Sequence, residues 1–160
     1  MFYLDLFKQL NQYHVQYLLI GGLAISMHGI ERATMDIDIT IAMNPENQKN
    51  LILWAESLNL KPVLPVPLQS LRDIALLKQW QQERNLLAFA LTTPEVAGVT
   101  IDILLFPPVD FIEMQQRATH FDIDQIDIPV ASIDDLISLK QAAGRPIDLS
   151  DIDHLKRLKR

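Results

Sequence analysis

The sequence predicts an α/β (α+β) fold in which a mixed, mainly antiparallel sheet is flanked by helices, and three patterns carry that expectation. Residues Asp36 to Ala42 read Asp-Ile-Asp-Ile-Thr-Ile-Ala, the period-two alternation of a strand with one buried face. Apolar runs at Leu86 to Leu91 and Val99 to Phe106 are separated by a short segment containing Pro94 and Gly98, the spacing of an antiparallel pair. Around these strands lie stretches whose apolar residues recur at helical spacing, the first marked by Tyr3, Leu6, Phe7 and Leu10.

Taken in order, Phe2 to Tyr13 is an amphipathic helix feeding a buried strand at Tyr17 to Ile20. Gly21-Gly22 breaks the backbone, a short helix occupies Leu23 to Met27, and Gly29 stops it. Pro45 opens a helix running to about Leu58. Lys61 to Pro67 holds three prolines, so it is an extended connection and no central strand. Leu68 to about Arg84 reads as one helix. Pro107-Pro108 ends the second strand of the antiparallel pair, Asp110 to Ala118 is helical, and Phe121 to Val130 holds a further strand. Ser132 and Asp135 form a variant capping box for a helix ending at Ala143, Gly144 closes it, and Pro146 starts another.

Composition narrows the function. A length of 160 residues suits one domain, 1–160, with C-terminal helices from about residue 132. Cysteine is absent, which excludes a disulfide framework and a thiolate metal site and favours a cytoplasmic location. The apolar stretch Tyr17 to Met27 is too short to span a bilayer and has no basic leader before it, so a soluble, unprocessed chain without membrane contact is expected. The formal charge of -6 disfavours unspecific attraction to nucleic acid phosphates. Four of the fourteen basic residues, Lys156, Arg157, Lys159 and Arg160, crowd the end of the chain, where they complement a helix dipole.

The chemistry centres on Asp36 and Asp38. At i and i+2 on a strand their carboxylates share a face while Ile37 and Ile39 pack on the other. Such close like charges raise each other's pKa, and a cation between them explains the arrangement; oxygen ligands without neighbouring His or Cys suit Mg²⁺ or Mn²⁺. Asp-Ile-Asp also occurs at Asp122/Asp124, in an acidic hairpin-like segment, and at Asp151/Asp153, where a helix would make i and i+2 diverge. Only the first copy follows a strand, Gly21-Gly22, a short helix and a loop, with thirteen residues between Gly22 and Asp36.

These residues resemble the signature of the polymerase-beta nucleotidyltransferase superfamily. The fuller pattern, Gly21-Gly22-Leu-Ala, His28-Gly29, Arg32-Ala-Thr34 and Asp-Ile-Asp-Ile, is most similar to the small abortive-infection (AbiEii-like) toxin nucleotidyltransferases. The resemblance implies a nucleotidyltransferase fold and a third metal-binding carboxylate on a later strand. Asp102, between Ile101 and Ile103, matches it. It further implies a catalytic triad of Asp36, Asp38 and Asp102 holding two Mg²⁺ (or Mn²⁺) ions roughly 4 Å apart. Asp102 is then the group that deprotonates the acceptor. Gly21 and Gly22 would admit an NTP triphosphate near the backbone, or serve only as a strand-to-helix turn. Arg32 would pair with a phosphate or neutralise the carboxylates. Lys140 would meet nucleotide phosphates or lie exposed on its helix. Arg145, Asp148 and Asp151 would tie the C-terminal helices together, and His28 is a loop hydrogen-bonder.

The expected activity is Mg-dependent transfer of an NMP group from an NTP to a hydroxyl of RNA, protein or a small molecule, within a toxin-antitoxin pair. The alternative is a non-catalytic binding module or antitoxin of the same fold. The chain is smaller than the larger enzymes of the superfamily, so a protein partner, a homodimer or a very small acceptor is expected to complete the acceptor site.

Overall fold

The computed structural model describes residues 2–32, 34, 36–94 and 99–159. Ala33, Gly98 and Arg160, which enter the sequence reading above, lie outside the described residues. The chain forms one mixed sheet in the order β3-β4-β5-β2-β1-β7-β6. Its strands are β1 (Tyr17–Ile20), β2 (Ile37–Ile41), β3 (Lys61–Pro62), β4 (Ala88–Thr92), β5 (Thr100–Leu104), β6 (Thr119–Ile123) and β7 (Ile126–Val130). β2 pairs parallel with β5, and β1 pairs parallel with β7; the other described pairings are antiparallel. The helices are α1 (Phe2–Gln12), α2 (Gly21–Met27), α3 (Pro45–Ser57), α4 (Ile74–Arg84), α5 (Phe111–Arg117), α6 (Ile133–Ala143) and α7 (Pro146–Leu158). No helix among the described residues is long and apolar enough to cross a membrane.

Strand alternation sorts the two faces. Ile37, Ile39, Ile41, Tyr17 and Leu19 share one face by register, and Phe7 of α1 stacks on Tyr17 with ring centroids 6.2 Å apart. Trp54 and Leu51 of α3 are buried in the same core. On the opposite face Leu18 packs with Ala42 and with Phe111 and Met114 of α5, and Leu139 of α6 lies against this second cluster.

Most expected elements form within a residue or two of their predicted bounds. The departures have local causes. The single helix expected from Leu68 to Arg84 is a 3₁₀ turn over Leu68–Arg72 followed by α4, because the Asp73 side chain accepts from Leu76 N–H (3.0 Å) and starts a new helix. The strand expected within Phe121 to Val130 is a hairpin, β6 and β7, turned by Asp124 and Gln125 at φ 51° and 66°. That two-residue turn needs positive φ and is built here without glycine, so its usual sequence mark is missing. The proline-rich connection contributes the two-residue edge strand β3, where a missing N–H is tolerated. α2 starts at Gly21 itself.

One buried amide joins three elements. Asn47, in the first turn of α3, accepts from Gln16 N–H (2.7 Å) and donates to Gln16 O (3.0 Å) and Ala42 O (2.7 Å). It thereby holds the entry to β1 against the exit of β2. Asn47→Leu should cost about 2 kcal/mol by leaving these groups unpaired. At roughly 2–4 °C per kcal/mol, thermal unfolding should show a fall of several degrees; an unchanged midpoint would remove Asn47 from the joint.

Candidate active site

The register between β2 and β5 places Asp38 opposite Asp102 on neighbouring parallel strands. β5 lies between β4 and β2, so Asp102 is on an interior strand. The two carboxyl groups are joined by a hydrogen bond. Asp36 lies one residue before β2, and its Oδ1 accepts from the Thr100 hydroxyl (2.9 Å). Thr100 escaped the sequence reading, although its place two residues before Asp102 puts it on the same strand face.

Burial pushes the Asp38 carboxyl up to about 7, reinforced by the Asp102 charge, the hydrogen bond that the protonated Asp38 carboxyl donates to Asp102, and the Asp36 charge; Lys140 works in the opposite direction. Asp102 is also raised, first by burial and then by Asp36. Two carboxyl groups sharing a proton in a half-buried site have the oxygen chemistry of a hard divalent cation site. As they stand, no three His, Cys, Asp or Glu side chains among the described residues are grouped to cage an ion. Asp36, engaged by Thr100, would have to turn to complete the set.

A pocket of about 180 Å³ opens over Asp38 and Asp102. Ile20, Gly21, Ala88 and Leu104 line it from the sheet side, and Leu136, Leu139, Lys140 and Ala143 line it from α6. Lys140 is 8% exposed, so the reading of an exposed helix lysine fails. Its Nζ lies 3.1 Å from Asp148 Oδ1 and 3.2 Å from Asp151 Oδ2, both on α7. Burial alone would raise the Asp148 pKa, but hydrogen bonds from the Arg145 side chain, Lys140 and the Arg145 backbone hold it at about 2. These acids fix the lysine side chain at the pocket wall.

Arg32 approaches from the loop before β2. Its Nε lies 3.2 Å from Asp151 Oδ1, so its nearest acid is on α7 and not in the Asp36/Asp38 pair. The two glycines are shaped by side chains. A Cβ at Gly21, whose φ is +73°, would lie 2.2 Å from Asp38 Oδ2 and 2.8 Å from Asp38 Cβ. A Cβ at Gly22 would lie 2.2 Å from the Arg32 guanidinium. The space over Gly22 is therefore already used by Arg32. His28 is a hydrogen-bonder, as expected: its Nε2 lies 2.9 Å from Ala131 O.

The other Asp-Ile-Asp copies serve structure. Asp122 and Asp124 are exposed on the β6–β7 hairpin. In α7 the pair diverges: Asp151 is buried against Lys140 and Arg32, while Asp153 faces outward and pairs with Arg157 (2.8 Å).

Solved structures match the fold of this chain along nearly its whole length. The lincosamide antibiotic adenylyltransferase LnuA, crystallised with lincomycin, matches with a TM-score of 0.60 and 19% identity over 98% of this chain and 94% of that one. The antibiotic-resistance factor ANT(2'')-Ia matches at 0.57 and 15% identity, over 96% and 78% of the two chains. An antigenic nucleotidyltransferase-like protein from Paracoccidioides brasiliensis matches at 0.56 and 18% identity, over 97% and 73%. Likeness at these identities defines the class by fold: a nucleotidyltransferase-like α/β domain. No curated protein matches the sequence. The model of the nucleotidyl transferase AbiEii toxin family, of type IV toxin-antitoxin systems, matches residues 5–159, and the chain belongs to that family.

Two outcomes test this geometry. Gly21→Ala should destabilise by about 1–2 kcal/mol or more, since the left-handed conformation and the root of Asp38 both oppose it. Gly22→Ala meets the movable end of Arg32 and, less tightly, Thr34 Cβ at 3.2 Å, and should cost less; equal costs in denaturant unfolding would refute the distinction. The second outcome concerns pH. The folded pKa of Asp38, about 7, lies above its unfolded value, so its contribution to stability is full below about pH 4 and is lost as pH rises through 7. In chelator, the wild-type unfolding midpoint should therefore carry a declining component between those limits. Asp38→Asn should flatten it, and an unaltered slope would contradict the shift.

Proposed function

We propose that residues 1–160 act as a minimal nucleotidyltransferase domain, with C-terminal helices from about residue 132, that moves an NMP group from an NTP to a hydroxyl acceptor in the cytoplasm. In this reading Asp36, Asp38 and Asp102 hold two Mg²⁺ (or Mn²⁺) ions, and Gly21, Gly22, Arg32 and Lys140 face the nucleotide. The observation that carries it is the pairing of Asp38 with Asp102 in register beneath a pocket that Lys140 also lines. A carboxyl pair with Asp36 two residues away offers the oxygen donors that the metal-dependent chemistry of the family requires.

Bound Mg²⁺ supplies charge neutralisation on the phosphates and on the departing pyrophosphate. Lys140, fixed by Asp148 and Asp151, directs a point charge into the pocket without first having to be ordered. A carboxylate oxygen of Asp102 takes the acceptor's hydroxyl proton as the oxygen–phosphorus bond forms and the bond from the α-phosphorus to pyrophosphate breaks. The lincosamide adenylyltransferase, 94% of which this chain covers, is seen with lincomycin bound, which supports a small-molecule acceptor.

Thermal unfolding with and without Mg²⁺ at matched ionic strength tests the metal assignment. At a hundredfold excess over its dissociation constant, Mg²⁺ should stabilise wild type by about 2 to 3 kcal/mol. Asp38→Asn should lose most of that gain and also lose transfer of label from radiolabelled NTPs, whereas Asp124→Asn should keep both. Equal gains in wild type and Asp38→Asn would show that the ion binds elsewhere.

A further inference from the structure

Among the described residues, a strip of the sheet beside Asp102 is only partly covered. β4 and β5 alternate residue by residue: Phe89, Leu91, Ile101 and Ile103 are 1% exposed or less on one face, while their neighbours on the other are half-buried. β1, two strands beyond β5, is buried on both faces. The helices on the Asp38 face therefore shield the β1 side of the sheet more completely than the β4–β5 side. Register puts Ala90 directly beside Asp102 and Ala88 beside Leu104. Val63, whose N–H donates to Ala90 O (2.9 Å), carries the strip to the sheet edge and is 55% exposed. Ala88 and Leu104 line the same pocket as Asp38, Asp102 and Lys140, so the strip is continuous with the candidate active site.

We propose that this strip is the acceptor site, and that it takes a small hydroxylated molecule with a nonpolar face, neutral or cationic in charge. The inference rests on the nucleotidyltransfer reading above. Gly21, Asp38 and Lys140 occupy the side of Asp102 assigned to the nucleotide, so an acceptor hydroxyl reaches the Asp102 carboxylate from the Ala90 side. Ala88 and Ala90 present only methyl groups on this face, a surface against which a nonpolar ring could lie with one edge at Asp102. Charge selects the class. This face of β4 and β5 presents Ala88, Ala90, Thr92, Thr100, Asp102 and Leu104, with no cation among them. The cations that line the adjoining pocket, Lys140 and Arg145, are paired with Asp148 and Asp151. Toward the sheet edge the first basic residue is Lys61, in register with Thr92 on β3. A nucleic acid acceptor needs several Lys or Arg side chains to neutralise its phosphates, and here it would meet carboxylates.

The test uses the full chain with radiolabelled NTPs, Mg²⁺ and a bacterial extract that is then separated into small-molecule, RNA and protein fractions. Label should enter the small-molecule fraction. Ala90→Leu should reduce that label roughly tenfold to a hundredfold by displacing the acceptor. Ala90→Val, which suits a strand and keeps the fold, should reduce it less. Titration with Mg²⁺ and NTP should give wild-type affinity in both variants, which shows that they are folded. Label entering RNA or protein overturns the proposal, as does small-molecule labelling undiminished in both variants. Failure of wild type to label any fraction overturns the transfer reading itself, which separates the two.

Discussion

Parallel strands in register leave their facing side chains no choice of neighbour, and here that constraint presses two acids together. Asp38 and Asp102 sit opposite each other because Ile37, Ile39, Ile101 and Ile103 must all be buried on the far face of β2 and β5. Sliding either strand by one residue would expose isoleucines and bury carboxylates, so the hydrophobic core enforces the repulsion. Much of the surrounding architecture answers it. Gly21 gives up a side chain so that the Asp38 carboxylate can lie against the backbone, and Thr100 draws Asp36 to one side.

The positive charge that faces this group is itself held in place. Lys140 is buried between Asp148 and Asp151, so α7 acts as a brace for a lysine that belongs to α6. Asp151 reaches further, to Arg32 on the loop that leads into β2. A single acid on α7 therefore fixes cations from two distant parts of the chain, and Arg32 in turn occupies the space that Gly22 leaves free. Buried ion pairs of this kind add little net stability, since desolvation offsets the attraction, but losing one partner strands the other. Their value is in fixing where the charges sit.

Much of this was legible in the sequence, for physical reasons that differ by residue. The strand carrying Asp38 and the one carrying Asp102 announce themselves by period two, and the same period gives the face on which each acid lies. The glycine pair was legible as a backbone break but not as two separate fits, because neither Asp38 nor Arg32 is near it in sequence. Lys140 sits in an ordinary amphipathic pattern, and only tertiary packing against α7 distinguishes it from a surface lysine. The segment around Asp122 and Asp124 read as hairpin-like, but the turn at Asp124-Gln125 and the division into two strands could not be placed because the turn uses no glycine. Asn47 was hidden because a polar residue in the first turn of a helix is unremarkable until its partners, thirty-one residues back and five back, are seen.

The ion pair between Arg32 and Asp151 joins segments that leave the ribosome at very different times. When the last strand, β7, has emerged, α6 and α7 have yet to follow it, so Arg32 still lacks its acid and Lys140 has not arrived. A nascent chain would thus carry a finished sheet and an unfinished charge lattice. A chain ended before Asp151 would retain the carboxylates of β2 and β5 without the acid that braces Arg32 and Lys140.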